Sequence, residues 1–247
     1  MSRAARTLRI FGKIVKLCFI LLIIFINLLL VWRIFSTNTP KSMQALEPND
    51  ALVAAYQADP ALSMSFTQEQ RDITSAESNY GYFSLSRTVF IPEANQIQIV
   101  FRYNNSTLRA TQNDFALSEA PSRDEEAYDV SILLVTDLTP ETDEDNLSSS
   151  DEHVKKTRVH PTSVKTEQTT LYNYRLFVFD LGEIDLKSIA EDKTLISAFV
   201  DVYYNGAIDY DKDPYGTLCI YDYITETEEF KPTSADKKAI DGYLNSN

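Results

Sequence analysis

The chain has 247 residues, with 23 Lys or Arg, 36 Asp or Glu, and a formal net charge of −13 at pH 7. The acidic excess is concentrated beyond the N-terminus, because six of the basic residues and none of the acidic ones lie in residues 1–33. Such a composition argues against nucleic-acid binding, which requires clustered Lys and Arg. The low glycine content, six residues, argues against a glycine-rich phosphate loop.

One long apolar segment dominates the N-terminal part. Residues 17–32 read LCFILLIIFINLLLVW, and Asn27 is the only polar residue among them. As a helix, residues 14–35 extend about 33 Å, enough to cross a hydrocarbon core of about 30 Å. The segment therefore predicts a transmembrane helix. A lone Asn in such a helix is either tolerated or bonded to another membrane helix, and the sequence leaves both open.

The basic residues around this segment predict its orientation. Five precede the apolar core, namely Arg3, Arg6, Arg9, Lys13 and Lys16, whereas only Arg33 and Lys41 follow closely. The positive-inside rule then places residues 1–13 in the cytoplasm as a short tail and the C-terminal part outside. The run is longer than that of a signal peptide and no small-x-small site follows, so we predict a retained, single-pass anchor in the cell membrane.

The cysteines bear on the compartment. Cys18 lies within the apolar segment and Cys219 is the single cysteine of the exterior part, so no intramolecular disulfide can form there. A secreted eukaryotic domain of this size commonly contains at least one pair. Cysteine usage therefore favours a bacterial envelope.

The exterior part divides by composition. Residues 36–60 are polar with several prolines and predict a stalk with a short helix at Asp50–Ala58. Residues 61–247 predict one β-rich domain, which a helix at 234–245 closes. A further turn or two of helix is expected within Glu183–Asp192.

Alternating apolar positions predict the strands, as in Ile97, Ile99 and Phe101. The predicted strands are Tyr82–Ile91, Gln96–Tyr103, Val130–Leu138, Lys155–His160, Leu171–Asp180, Thr194–Tyr204 and Thr217–Ile224, with Lys155–His160 at an edge. Their short connections favour antiparallel pairing, and their spacing is typical of a β-sandwich. The predicted fold class is therefore mainly β, an antiparallel β-sandwich with a few short helices.

An acidic, hydroxyl-rich stretch interrupts the strands at residues 139–154, beginning TPETDEDNLSSSD. Stretches of this length without regular structure are uncommon in compact domains and are usually functional or mobile. We predict a surface loop here, and a recognition role for it stays open.

Asp209, Asp211 and Asp213 form the sharpest metal-like pattern, because alternate carboxylates resemble the first ligands of an EF-hand-type calcium loop. The pattern departs at its sixth position, Pro214, and at its twelfth, Ile220, where a bidentate Glu is required. A weak calcium site and a solvated turn are both compatible with it. The metal assignment is left open.

The remaining candidates for chemistry are sparse. His153, His160 and Cys219 are well separated, whereas a catalytic zinc ion usually takes three protein ligands. No G-x-S-x-G elbow is present, and carboxylates are too abundant for a hydrolase pair to be recognised. No cofactor is predicted, and the sequence leans away from an enzyme.

Tyrosines interleave with charged residues at Tyr172, Tyr174, Tyr203, Tyr204, Tyr221 and Tyr223. Such residues form either a stacking face for sugars or peptides, or ordinary sheet packing with the hydroxyls at the rim.

These patterns favour a membrane-anchored extracytoplasmic binding or assembly module. Its expected partners are the membrane and another envelope protein or surface ligand, not nucleic acid. The alternatives are an anchored hydrolase that uses carboxylates and a calcium-dependent adhesive domain.

Overall fold

The N-terminal unit is a single apolar helix. The computed structural model describes residues 3–37, 39–68, 83–123, 126–137, 154–192, 194–210 and 213–246, and the chain falls into two compact units, Met1–Asn38 and Thr39–Asn247. Helix α1 (Arg3–Thr37) contains an 18-residue window, Val15–Trp32, with a mean hydropathy of 2.7. By length and composition this helix can cross a membrane. The side-chain amide of Asn27 donates to the carbonyl of Ile23, at 2.8 Å, so it has a partner within its own helix.

The second unit is mainly β. Its described strands are β1 (Phe66–Gln68), β2 (Phe83–Ile91), β3 (Gln96–Asn104), β4 (Tyr128–Asp137), β5 (Val154–Val159), β6 (Ser163–Gln168), β7 (Tyr172–Asp180), β8 (Leu195–Tyr204), β9 (Gly216–Asp222) and β10 (Thr227–Glu229). They form a six-stranded sheet, β10-β1-β2-β3-β7-β6, and a four-stranded sheet, β5-β4-β8-β9. All pairings are antiparallel. The prediction of a mainly β, antiparallel domain with few helices is confirmed.

The helices of this unit are short. They are α2 (Lys41–Gln44), α3 (Asp50–Ala58), α4 (Asn105–Asp114), α5 (Leu186–Glu191) and α6 (Ser234–Leu244). The sequence did not predict α4, because its residues NSTLRATQND lack a regular apolar stripe. A capping box between Asn104 and Thr107 starts this helix instead. Strand β6 was missed for a related reason, since an exposed edge strand has no apolar face.

The two sheets contribute to one core. The alternation that predicts strands puts Ile97, Ile99, Phe101, Phe177 and Phe179 of the six-stranded sheet in the same buried cluster as Val130, Ile132, Leu134, Val200 and Val202 of the four-stranded sheet. Strand β5 lies at an edge of the four-stranded sheet. The predicted loop 139–154 lies outside the described residues except for Val154, the first residue of β5.

Residues 39–60 pack onto the β-domain. Met43 is fully buried in a cluster with Val100 and Tyr174, while Leu46 and Leu52 lie in a second cluster that includes residues of β2 and α6. The compact unit begins at Thr39, so most of the segment for which the sequence suggests a stalk contributes to the domain. Its apolar side chains supply the reason, because they bury surface against the sheet.

Asp236 connects three distant parts of this unit. Its carboxylate is buried and accepts hydrogen bonds from the Leu46 amide at 2.7 Å, from Arg87 Nη2 at 3.0 Å and from the Thr233 amide and hydroxyl at 2.8 and 2.7 Å. Burial by itself would raise the pKa of Asp236. The Arg87 charge and the hydrogen bonds from Thr233 and Leu46 outweigh burial, so the pKa lies below its usual value.

Replacing Asp236 with Asn is expected to destabilise the domain strongly. The change removes the counter-charge of Arg87 and puts an amide where only acceptors fit, which should lower the free energy of unfolding by about 3 kcal/mol. Urea unfolding of residues 39–247, followed by far-UV circular dichroism, measures the loss. The matched control is Asp241→Asn, on the exposed side of the same helix, and equal losses in the two variants would contradict the role of Asp236.

The lowered pKa of Asp236 predicts that the stability of the domain depends on pH. Because the folded-state pKa of Asp236 is lowered, its contribution is complete above the unfolded-state pKa of about 3.9 and is lost as the pH falls through the folded value. The stability difference between the wild type and Asp236→Asn should therefore be constant from about pH 5 to 7 and shrink below about pH 4. Urea titrations across this range measure it, and a difference that grows on acidification would refute the assignment.

Candidate functional site

A groove with a volume of about 820 Å³ opens between β5 and α5. Its floor is apolar and includes Leu134, Val159, Leu181, Ile184 and Ile189. Charged residues line its rim, namely Asp137, Lys155, Glu183, Asp185 and Asp192. Five of the sixteen lining residues are apolar and the other eleven are polar or charged, so the groove is more polar than most small-molecule sites, although its volume lies within their usual range.

The first wall of the groove is formed at the edge of the four-stranded sheet, on the face that carries the buried cluster. Thr157 pairs with Leu134 and Lys155 pairs with Thr136. Since side chains alternate along a strand, Lys155, Thr157 and Val159 share one face of β5, and Leu134 belongs to the buried core. The groove therefore continues the core surface outward to the sheet edge.

The second wall of the groove is the segment from Leu181 through α5, and Asn95 holds it in place. This residue ends the turn between β2 and β3 with a left-handed φ of 52°, which Asn tolerates better than most residues. Its carbonyl accepts from the Leu181 amide at 3.1 Å, its Oδ1 accepts from the Leu186 amide at 2.9 Å, and its Nδ2 donates to the Gly182 carbonyl at 3.2 Å. One turn thus fixes the connection from β7 to α5, where Gly182 supplies a positive φ of 59°.

Helix α5 places the acidic part of the rim. Asp185 caps the helix by accepting from the amides of Lys187 and Ser188, at 3.0 and 3.2 Å, and from the Ser188 hydroxyl at 2.8 Å. The hydrogen bonds from Ser188 lower the pKa of Asp185, which keeps it ionised. Glu183 and Asp192 lie just before and just after the helix, so the rim is acidic at both ends.

Two further basic residues line the groove but direct their charged groups to the other face of the sheet. Arg158 Nη2 lies 3.2 Å from Asp201 Oδ2, and the guanidinium stacks over the rings of Tyr203 and Tyr210. His160 Nδ1 lies 4.0 Å from a carboxylate oxygen of Asp129. Lys155 is therefore the cationic group that faces the four rim carboxylates within the described part of the groove.

The opposite face of the four-stranded sheet, away from the buried cluster, carries a buried network around Asp201. This carboxylate is 3% exposed and accepts from Thr217 Oγ1 at 3.0 Å and from Arg158. Burial raises the pKa of Asp201, although Thr217 and Arg158 oppose the shift. Both carboxylate oxygens are occupied, so the network stabilises the sheet and offers no free carboxylate to a substrate.

The same network holds the chain segment that carries the predicted calcium pattern. The Tyr210 hydroxyl donates to Asp129 Oδ2 at 2.5 Å, and this bond, together with burial, raises the pKa of Tyr210 to about 12. Asp209 and Asp213 are described, whereas Asp211 lies outside the described residues. Within the described residues no group of three or more His, Cys, Asp or Glu side chains is arranged to hold a metal ion. The calcium interpretation stays a prediction.

The predicted His and Cys candidates are far apart where they are described. His160 follows β5 and Cys219 lies on β9, at opposite edges of the four-stranded sheet. Three strand spacings of about 4.8 Å separate these edges by roughly 14 Å, so the two side chains cannot share a zinc ion or form a nucleophile–base pair. Cys219 Sγ lies 3.2 Å from the Tyr221 carbonyl. His153 lies outside the described residues.

The tyrosines that suggest a stacking face are distributed over both sheets. Tyr172 and Tyr174 lie on β7 of the six-stranded sheet, and Tyr203, Tyr204 and Tyr221 lie on β8 and β9 of the other. Tyr174 and Tyr203 are buried, with 0% and 3% exposure, whereas Tyr223 is 65% exposed. These six residues do not form one continuous surface.

Comparisons of the chain with protein-family models, with curated proteins and with solved structures give no match. The groove and its chemistry are therefore the basis for a functional assignment. Sequence reasoning missed the groove, because its two walls come from residues 134–160 and residues 181–194, whose contact no local pattern encodes.

Replacing Arg158 with Gln is expected to destabilise the domain, because Asp201 is then buried without its cation. The free energy of unfolding at pH 7 should fall by about 2–4 kcal/mol, and by less in acid, where protonated Asp201 needs no counter-charge. Urea unfolding measures both values. Lys156→Gln is the matched control, since Lys156 is an exposed residue on the same face of β5, and similar losses in both variants would contradict the importance of the buried pair.

Proposed function

We propose that this chain is a single-pass membrane protein that displays its β-rich domain outside the cell as a binding or assembly module. The observation that carries the proposal is the groove beside β5, with its apolar floor and acidic rim. A concave site of this volume that combines apolar surface with convergent polar groups supports a binding role.

The anchoring part of the proposal rests on α1. Residues 15–32 have a mean hydropathy of 2.7 and no buried position, so in water this surface would be costly to expose. The basic residues before it support an N-terminus in the cytoplasm, and the lack of a cysteine pair in the exterior part supports a bacterial envelope.

We also infer that the two sheets face each other as a sandwich. The inference is supported by the buried cluster that takes side chains from both sheets and by the alternation of buried and more exposed positions along β4. This arrangement leaves the groove at an open side, between an edge strand and a short helix.

Binding is favoured over hydrolysis by the state of the carboxyl groups. A glycoside hydrolase needs two carboxyl groups at catalytic separation, one of them with a raised pKa. The pKa of Asp201 is raised, but its oxygens are bonded to Thr217 and Arg158 and it does not line the groove. No observation of comparable weight favours an adhesive domain that depends on calcium.

The position of the domain outside the cell membrane is tested with tagged protein in sealed bacterial cells from which the cell wall, and any outer membrane, has been removed. External protease should remove a C-terminal tag and leave an N-terminal tag intact. Variant Leu22→Arg, Ile23→Arg should lose membrane retention, because each central Arg costs about 2.5–3.5 kcal/mol. Leu244→Arg is the control, because Leu244 is exposed and lies far from the apolar segment in the sequence. A protected C-terminal tag would refute the proposal.

The binding role is tested in the same cells with an amine-reactive cross-linker that cannot cross the membrane. The exposed lysines of the domain include Lys155, Lys156, Lys237 and Lys238, which offer reactive sites on several of its elements. Adducts between the domain and a second envelope protein are expected in the wild type and not in the variant that lacks the anchor. A domain that is accessible yet forms no adduct would contradict a binding or assembly role.

A further inference from the structure

The outer edge of β5 is open within the described part of the domain. Strand β5 pairs with β4 and with no other described strand, and no backbone hydrogen bond from another described segment outside the sheet reaches Val154–Val159. In an antiparallel pair, about half of the residues direct their N–H and C=O groups away from the partner strand. These groups lie along the rim of the groove, since Lys155, Thr157 and Val159 all line it.

The opposite edge of the same sheet, formed by β9, is partly covered by a side chain. There the side chain of Gln68 accepts from the Asp222 amide at 2.7 Å and donates to the Asp222 carbonyl at 2.8 Å. A side-chain amide thus replaces a neighbouring strand at the end of β9. Strand β5 has no such cover among the described residues, which makes its edge suited to accept an added strand.

The charges at the rim of the groove determine which side chains a complementary strand needs. Glu183 and Asp192 are exposed, lie at opposite ends of α5 and form no ion pair with another described residue. Between them the floor is formed by Leu134, Ile184 and Ile189. A complementary strand therefore has apolar side chains at the centre of its inward face and basic side chains at the two ends.

We propose that the groove binds an extended peptide segment of a partner protein, which adds to β5 as a further strand and places apolar side chains on the floor and basic side chains beside Glu183 and Asp192. The proposal names the ligand chemistry of the binding module proposed above and rests on that function. Six residues of β5 span about 20 Å, so backbone hydrogen bonds supply affinity and the groove supplies selectivity.

A second copy of this chain is a poorer occupant. In a symmetric antiparallel pairing, residues of the same sheet face lie opposite each other. A pairing centred on Lys156 puts Lys156 of the two copies opposite each other, and a pairing centred on Thr157 puts Lys156 of one copy opposite Arg158 of the other. Like charges directly opposite each other on neighbouring strands are destabilising.

The test uses the full chain in phosphatidylcholine nanodiscs and a labelled, end-capped peptide, Lys-Thr-Val-Thr-Val-Thr-Lys, whose Lys and Val side chains share one face. We expect this peptide to bind and the matched peptide with Glu in place of Lys to bind at least about tenfold more weakly. Hydrogen exchange should show slower exchange of the amides of residues 154–159 when the first peptide is bound.

Two isomeric peptides test strand addition directly. N-methylation of both Val residues removes amide donors from one edge of the peptide, and N-methylation of two Thr residues removes them from the other. One isomer should lose binding and the other should keep it, because only one edge faces β5. Equal binding by both isomers would overturn strand addition.

Charge reversal tests the rim. Glu183→Lys, Asp192→Lys should invert the preference so that the Glu peptide binds more tightly, while Glu119→Lys, Glu226→Lys makes the same charge change at exposed residues away from the groove and should keep the Lys preference. Circular dichroism verifies that both variants fold.

Four outcomes overturn the proposal. They are a lack of binding by the Lys peptide, equal binding by the Lys and Glu peptides, equal binding by the two N-methylated isomers, and a dimer in which residues 154–159 are protected without peptide. If any of these occurs while external protease and cross-linking give the results expected above, the groove assignment fails and the anchored binding module stands.

Discussion

The buried cluster that takes side chains from both sheets is the constraint on which the rest of this domain depends. Because side chains alternate along a strand, a shift of one residue would move Ile97, Ile99 and Phe101 out of the buried cluster. The core therefore fixes the register of every long strand. Register in turn decides which residues of β5 face inward, and so determines the composition of the groove.

Two buried carboxylates, Asp236 and Asp201, then connect elements that are distant along the chain. Asp236 joins the segment before α3, strand β2 and helix α6 through four hydrogen bonds, and the Asp201–Arg158 ion pair links β8 to β5 across β4. Both carboxylates are largely removed from water and bonded at more than one oxygen, as buried charges must be. These two carboxylates are structural, whereas Glu183 and Asp192 at the groove rim are exposed and form no ion pair with another described residue.

The groove arises where two elements end. Within the described residues the outer edge of β5 has no partner strand, and Asn95 holds the β7–α5 connection across from it through three hydrogen bonds. The core surface is consequently exposed along one side between them. The apolar floor of the groove, the backbone groups of β5 that have no described partner and the acidic residues at the two ends of α5 then coincide in one place. This combination is the reason that an extended peptide is the proposed ligand.

The sequence alone determined the long apolar helix, the antiparallel β class, most strand positions and helix Asp50–Ala58, because periodicity and capping are properties of neighbouring residues. It missed α4 and β6, whose residues have little apolar pattern, and it assigned Met43 and Leu46 to a stalk although they are buried. Only the tertiary structure decided the groove, the ion pairs of Asp236 and Asp201, and the separation of His160 from Cys219. The physical reason is that these features are contacts between residues distant along the chain, and burial, charge compensation and strand order exist only after the sheets have assembled.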